Sequence, residues 1–297
     1  MVIDQNLNRI FAALITPFNE DETLNEEAVR KLVNYELNNG VEGFYCCGSS
    51  GEGLLLSKEE RKRFLEIVLE EVKGRVPVIS HIGTIRTGDV IELAKHAKAK
   101  GANAVSMIPP YYYKFSTNEI IKYYEDVINA VEDLPVIVYN IPQFTGISFN
   151  KQNAGKLLEN PNVIGIKHTS TDLFGLERMK TDYPDKIYFN GFDEIFLSGL
   201  AAGATAAIGT TVNLYPKTFR KIKDLYDAGE IEHARKIQQL VNHRVEEMVN
   251  VGIFPAVKYM FLKQGIDCGK CRRPFGELTK EQEAKLDALI AEGFDVE

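Results

Sequence analysis

A lysine closes the apolar run Val163-Ile-Gly-Ile-Lys167, an unusual place for an ionisable amine. If the run lines a protein interior, partial desolvation penalises the ammonium and favours the neutral amine, the form that attacks a carbonyl to build an imine. The competing reading is structural, with the amine reaching solvent along its own methylenes or pairing with Asp193 or Glu194. Tyr139 ends a second apolar run, Val136-Ile-Val-Tyr139. A phenol beside an amine or iminium can shuttle a proton, and a core tyrosine with a satisfied hydroxyl is its alternative. A third polar segment, Gly48-Ser-Ser-Gly-Glu-Gly53, has neither the lysine of a P-loop nor the spacing of a dinucleotide fingerprint. The hydroxyls of Ser49 and Ser50, with the backbone N–H groups of a Gly-rich turn, suit a carboxylate. A tight turn ahead of a helix accounts for the same residues equally well.

Elements that could bring these groups together follow from periodicity. Short β-branched or aromatic runs occur at 10–16, 43–47, 76–82, 104–108, 136–140, 163–167, 187–190 and 204–209, with longer amphipathic stretches between them. Thr23-Leu-Asn-Glu26, Ser57-Lys-Glu-Glu60 and Ser116-Thr-Asn-Glu119 each match a helix-starting capping box. Strands apolar almost throughout, alternating with helices, indicate a parallel sheet covered by helices. Eight such units favour closure into an α/β (β/α)8 TIM barrel, with an open doubly wound sheet as the alternative.

Catalytic groups of such barrels collect at the carboxyl ends of the strands. Those ends carry Gly48–Gly53, Pro109-Pro-Tyr-Tyr-Tyr113, Tyr139, Lys167-His-Thr169, Gly191-Phe-Asp-Glu194 and Gly209-Thr-Thr211. After the eighth strand only helices are expected, at 215–228, 231–250, 254–264 and 280–291. The first completes a barrel over 1–228, and the other three form a C-terminal extension over 229–297 that packs on it.

The 297 residues, 44% hydrophobic and 26% charged, can bury one large core. A formal charge of −7 opposes generic binding to nucleic acid or anionic membranes. No basic segment followed by an apolar run opens the chain, and no stretch of about 18 apolar residues follows, so a cytoplasmic protein is expected. Of the four cysteines, Cys268-Gly-Lys-Cys271 matches CxxC, but no second pair or histidine cluster would complete a zinc site. Reduced thiols in a turn are expected, with no metal.

The motifs Gly48-Ser-Ser-Gly-Glu52, Tyr139-Asn-Ile-Pro-Gln-Phe-Thr-Gly146, Gly165-Ile-Lys-His-Thr-Ser170 and Gly191-Phe-Asp-Glu194, taken in this order, resemble the family of N-acetylneuraminate lyase and dihydrodipicolinate synthase. The resemblance spans the whole chain. It implies that Lys167 forms an imine with a 2-oxo acid without any cofactor and that Tyr139 relays protons. It also implies that Ser49 and Ser50 hold the carboxylate of the pyruvate portion. Tyr112 matches a tyrosine that reaches a neighbouring subunit's site, which implies a homotetramer.

Members of the family divide by second substrate. The synthase branch places an arginine two residues after the proline of YNxP, where this chain has Phe144, and a phenyl ring cannot make arginine's bidentate contact with a carboxylate. Gly191, Asp193 and Glu194 resemble the lyase signature whose carboxylates accept hydrogen bonds from sugar hydroxyls. Thr169 and Thr210 match positions along the polyhydroxylated chain, with solvated rim residues as the alternative. The expected reaction is reversible cleavage of N-acetylneuraminate to N-acetylmannosamine and pyruvate. The alternative is a synthase or another pyruvate-dependent aldolase of the same family.

Overall fold

A computed structural model describes residues 5–293 of the chain. Eight strands, β1 (Ile10–Ala13), β2 (Phe44–Cys46), β3 (Val78–His81), β4 (Ala104–Met107), β5 (Val136–Asn140), β6 (Val163–His168), β7 (Ile187–Asn190) and β8 (Ala206–Gly209), pair in parallel and in sequence order. β1 also pairs with β8, closing a barrel. The connecting helices are α1 (Glu26–Asn38), α2 (Lys58–Val72), α3 (Thr87–Lys100) and α4 (Thr117–Val131), then the short α5 (Pro142–Thr145), α6 (Lys151–Leu158), α7 (Leu173–Asp182), α8 (Phe196–Ala201) and α9 (Pro216–Asp227). The extension is α10 (Ile231–Val251), α11 (Ile253–Lys263) and α12 (Lys280–Ala291), with α10 packed on α8, α9 and the turn Asp193–Ile195. No helix among the described residues is long and apolar enough to cross a membrane.

Several expected bounds move inward. β1 ends at Ala13, β3 spans only Val78–His81, and β8 begins at Ala206. The capping boxes at Ser57 and Ser116 form as expected, each serine accepting from the N–H three residues on. Thr23 does not cap α1. Its hydroxyl donates to Asp21 Oδ1 at 2.6 Å while Leu24 bridges Phe18, so Asn25 takes the cap and accepts from the Ala28 N–H. Side-chain competition, not helix propensity, sets that start.

Along β1, β5 and β7, neighbouring residues alternate between an inner cluster that fills the barrel (Phe11, Ala13, Ile137, Tyr139, Ile187, Phe189) and an outer core beneath the helices. β6 breaks this alternation. Val136 pairs with Val163, but Ile137 pairs with Gly165, leaving one extra residue in β6. Ile164 belongs to the inner cluster and Ile166 to the outer core. Strict alternation from Val163 would send Lys167 outward; the bulge reverses the phase and turns it into the barrel beside Tyr139. The bulge presses Gly165 against β7, where an added Cβ would lie 2.0 Å from the Ile187 carbonyl oxygen. Gly165→Ala is therefore expected to destabilise the fold by about 1–3 kcal/mol or more, read as a lower urea midpoint; an unchanged midpoint contradicts the close approach.

Candidate active site

Lys167 is 4% exposed and lies directly across the β5–β6 ladder from Tyr139. Its Nζ is 4.1 Å from the Tyr139 ring centroid and 4.4 Å from that of Tyr45. Tyr45, on β2, is a site residue that inspection of strand ends passes over. Its hydroxyl donates to Ser106 Oγ at 3.0 Å. Burial and the neighbouring Tyr139 push the Tyr45 phenol well above its usual range, so it serves as a neutral aromatic wall facing the amine. His81 completes this layer, with its ring edge-on to Tyr139 at 5.8 Å. Burial, then Arg61 and Lys167, push the imidazolium well below its usual range, leaving His81 neutral. Its Nδ1 is 3.0 Å from the Cys47 carbonyl, a pure acceptor, so Nδ1 carries the proton.

The ends of β5 and β6 are locked together. Asn140 Nδ2 donates to His168 Nδ1 at 3.1 Å, while Asn140 Oδ1 accepts from the Phe149 N–H at 3.0 Å. The Gly48–Gly53 loop follows β2 and folds back on itself, with Gly53 N–H donating to the Gly48 carbonyl at 3.0 Å and the Thr16 hydroxyl donating to the Gly51 carbonyl at 2.6 Å. A Cβ on Gly53 would fall 1.8 Å from the Cys47 carbonyl oxygen, so only glycine fits there. Ser49 is half-buried. Ser50 is buried and its Oγ lies 2.7 Å from Thr210 Oγ1, which joins the β2 and β8 loops on one side of the barrel mouth.

Beyond the ends of β6 and β7 stand Thr169, Gly191 and Asp193, the last of them meeting the β8 loop. Thr169 Oγ1 is buried without a hydrogen-bond partner, a costly arrangement that a ligand oxygen or amide would relieve. It packs so closely on Gly191 that a Cβ there would lie 1.9 Å from the hydroxyl. Asp193 is buried, and its Oδ2 accepts from both the N–H and the hydroxyl of Thr211, each at 2.7 Å. Burial raises the Asp193 carboxyl to about 6 against the opposing pull of the Thr211 bonds. Thr211, which shares the end of strand eight with the expected Thr210, is a second site residue to which sequence reading gave no role of its own. A third is Gln238 on α10, which donates to the Asp193 carbonyl at 3.0 Å and accepts from the Leu197 N–H at 3.0 Å, fixing the turn from behind. Glu194 is exposed at the rim.

Tyr112 stands apart from this cluster, 85% exposed with a backbone φ of 74°. Such left-handed geometry is unusual for a bulky residue and marks a constrained position. Phe144 sits on α5, 62% exposed. Cys268 and Cys271 are buried free thiols, and burial pushes the Cys271 thiol up to about 12, away from the reactive thiolate. Among the described residues no group of three or more His, Cys, Asp or Glu side chains is arranged to hold a metal ion.

The pattern of the Dihydrodipicolinate synthetase family matches residues 6–292. The chain belongs to this family. It is 43% identical to the N-acetylneuraminate lyase of Rhizobium meliloti over 283 residues, 95% of this chain and 93% of that protein. The crystal structure of CdNal from Clostridium difficile in complex with mannosamine superimposes with a TM-score of 0.93 at 34% identity, covering 95% of this chain and 98% of that one. N-acetylneuraminate lyase from Fusobacterium nucleatum, complexed with pyruvate, gives 0.91 at 34% identity, covering 95% and 96%.

For this member of the Dihydrodipicolinate synthetase family, Asp193 has a definite effect on stability. Its folded-state value near 6 lies above the ordinary 3.8, so between these values the folded state holds a proton that the unfolded chain has lost. Stability from this group is therefore lost as pH rises from about 4 to about 6, by at most about 1.4 kcal/mol per pH unit. Urea midpoints at both ends of that window should show a shallower fall with rising pH for Asp193→Asn than for the native chain. Equal slopes would contradict the burial argument.

Proposed function

We propose that this chain catalyses the reversible cleavage of N-acetylneuraminate to N-acetylmannosamine and pyruvate through an imine on Lys167. The observation that carries the chemistry is the amine itself, turned into the barrel by the β6 bulge and set against the Tyr139 ring. The Lys167 amine attacks the ketone of the open-chain substrate, and loss of water leaves a protonated imine that withdraws electrons. Tyr139 removes the proton from the hydroxyl on the carbon beyond the scissile bond. That bond's electron pair moves into the imine, and N-acetylmannosamine departs as the aldehyde. Protonation of the remaining enamine and hydrolysis release pyruvate and regenerate the lysine. Because the imine is the electron sink, no metal takes part in these steps.

Ser49, Ser50 and their backbone amides hold the substrate carboxylate. Thr169, Gly191, Asp193, Glu194 and Thr210 face the polyhydroxylated chain, supported by the unpartnered Thr169 hydroxyl and by the Asp193 carboxylate, whose Oδ1 lies where a Cβ on Gly209 would stand. Phe144 favours a sugar acid over an aspartate semialdehyde adduct, since it offers no charge to a second carboxylate. The names of the relatives agree with this choice. The exposed, strained Tyr112 is assigned to a subunit contact, where it completes a neighbour's site in a homotetramer. Four free cysteines fit a reducing cytoplasm.

A coupled assay for pyruvate release from N-acetylneuraminate, run beside a synthase assay with aspartate semialdehyde, tests the assignment. Turnover is expected only in the first, to be abolished in Lys167→Ala and lowered about 10²–10⁴-fold in Tyr139→Phe. Turnover only in the second would transfer the enzyme to the synthase branch. Dialysis against a chelator should leave the rate unchanged, whereas a rate restored only by added metal would overturn the imine route.

A further inference from the structure

We infer that Glu52 and Lys258 are positioning residues for the carboxylate-holding loop, so that the C-terminal extension completes the pyruvate site; the inference rests on the imine reading above. Glu52 lies two residues after Ser50 and has a backbone φ of 54°, a left-handed conformation unfavourable for a residue with a side chain. Its neighbours on the loop are held equally tightly, since a Cβ on Gly51 would stand 2.7 Å from the Leu14 carbonyl oxygen. The loop therefore needs external fasteners to keep Ser49, Ser50 and their amides pointed at one place.

The extension supplies them. Lys258, on α11, has its Nζ 2.8 Å from Glu52 Oε1, with the side chains 3% and 0% exposed. Glu52 Oε2 accepts from the Arg272 N–H at 2.7 Å. The Lys258 ammonium also donates to the Lys270 carbonyl at 2.9 Å and lies 4.4 Å from the Phe18 ring centroid. Arg272 continues the chain of contacts, donating to the Leu55 carbonyl at 2.8 Å and to Glu60 Oε1 at 2.6 Å. A buried ion pair is a poor device for adding stability, because apolar packing of the same volume does as well without desolvating two charges. What it supplies is position: the ammonium, held by the Lys270 carbonyl, faces Glu52 Oε1 as a charge contact without hydrogen-bond geometry, and the Arg272 N–H gives the same carboxylate one directed bond. Neither Glu52 nor Lys258 touches the reacting atoms; both act through the loop.

The double variant Glu52→Gln/Lys258→Met removes both charges at nearly constant volume and strands neither ion. Borohydride trapping of the Lys167 imine is measured as a function of ketone concentration, with pyruvate, which carries a carboxylate, and with acetone, which does not. Circular dichroism and melting establish that the variant is folded; Lys258→Arg, which keeps the charge but displaces it, takes its place if it is not. The half-saturating pyruvate concentration is expected to rise about tenfold or more, while that for acetone stays unchanged. An unchanged pyruvate value in a folded variant, or an equal shift for both ketones, overturns the inference. If the native chain traps neither ketone, the imine reading fails first and takes this inference with it.

Discussion

The direction in which Lys167 points depends on the extra residue accommodated in β6. A parallel strand alternates its side chains with a period of two, so in an unbroken β6 the lysine would share the phase of Val163 and face the helices. With Ile164 inward and Gly165 in register with Ile137, the phase is restored one residue late, and Lys167 falls opposite Tyr139. The bulge is possible because residue 165 has no Cβ to meet the Ile187 carbonyl. Bulges in parallel pairs are rare and commonly re-aim a side chain next to an active site.

Everything around the amine is fitted to that orientation. Tyr45, Tyr139 and His81 form an aromatic layer beneath the barrel mouth. Asp193 is fixed by Thr211 in front and by the Gln238 amide behind. In the proposed function the Gly48–Gly53 loop serves the substrate carboxylate, and the unpartnered Thr169 hydroxyl and the Asp193 carboxylate serve the sugar hydroxyls. The helices beyond β8 take part in this arrangement, because α10 carries Gln238 and α11 carries Lys258.

Much of this was legible in the sequence. The eight strands stand out because each is a short apolar run between amphipathic segments, and reading the carboxyl end of each yields Lys167, Tyr139, Ser50, Thr169, Asp193 and Thr210. Other features were not legible, for identifiable reasons. Gly165 looks like an ordinary strand residue until pairing with both neighbours is known, so the inward lysine rested on chemistry and not on phase. Tyr45 lies one residue short of a strand end and signals only core. Thr211 is distinguished from Thr210 by which of them meets Asp193, a tertiary fact. Thr23 carried a valid capping pattern and lost it to a local competitor, Asp21. The Glu52–Lys258 pair joins segments far apart in the chain, and no local pattern announces it.

The central claim is that this one amine is the nucleophile, and it is tested most directly by locating the covalent adduct. The protein is incubated with pyruvate, reduced with borohydride, digested and mapped by mass spectrometry. The account predicts a single stable modification on the peptide containing Lys167, absent when either pyruvate or borohydride is omitted. A modification on another lysine, or none on a protein that releases pyruvate from N-acetylneuraminate, would contradict it.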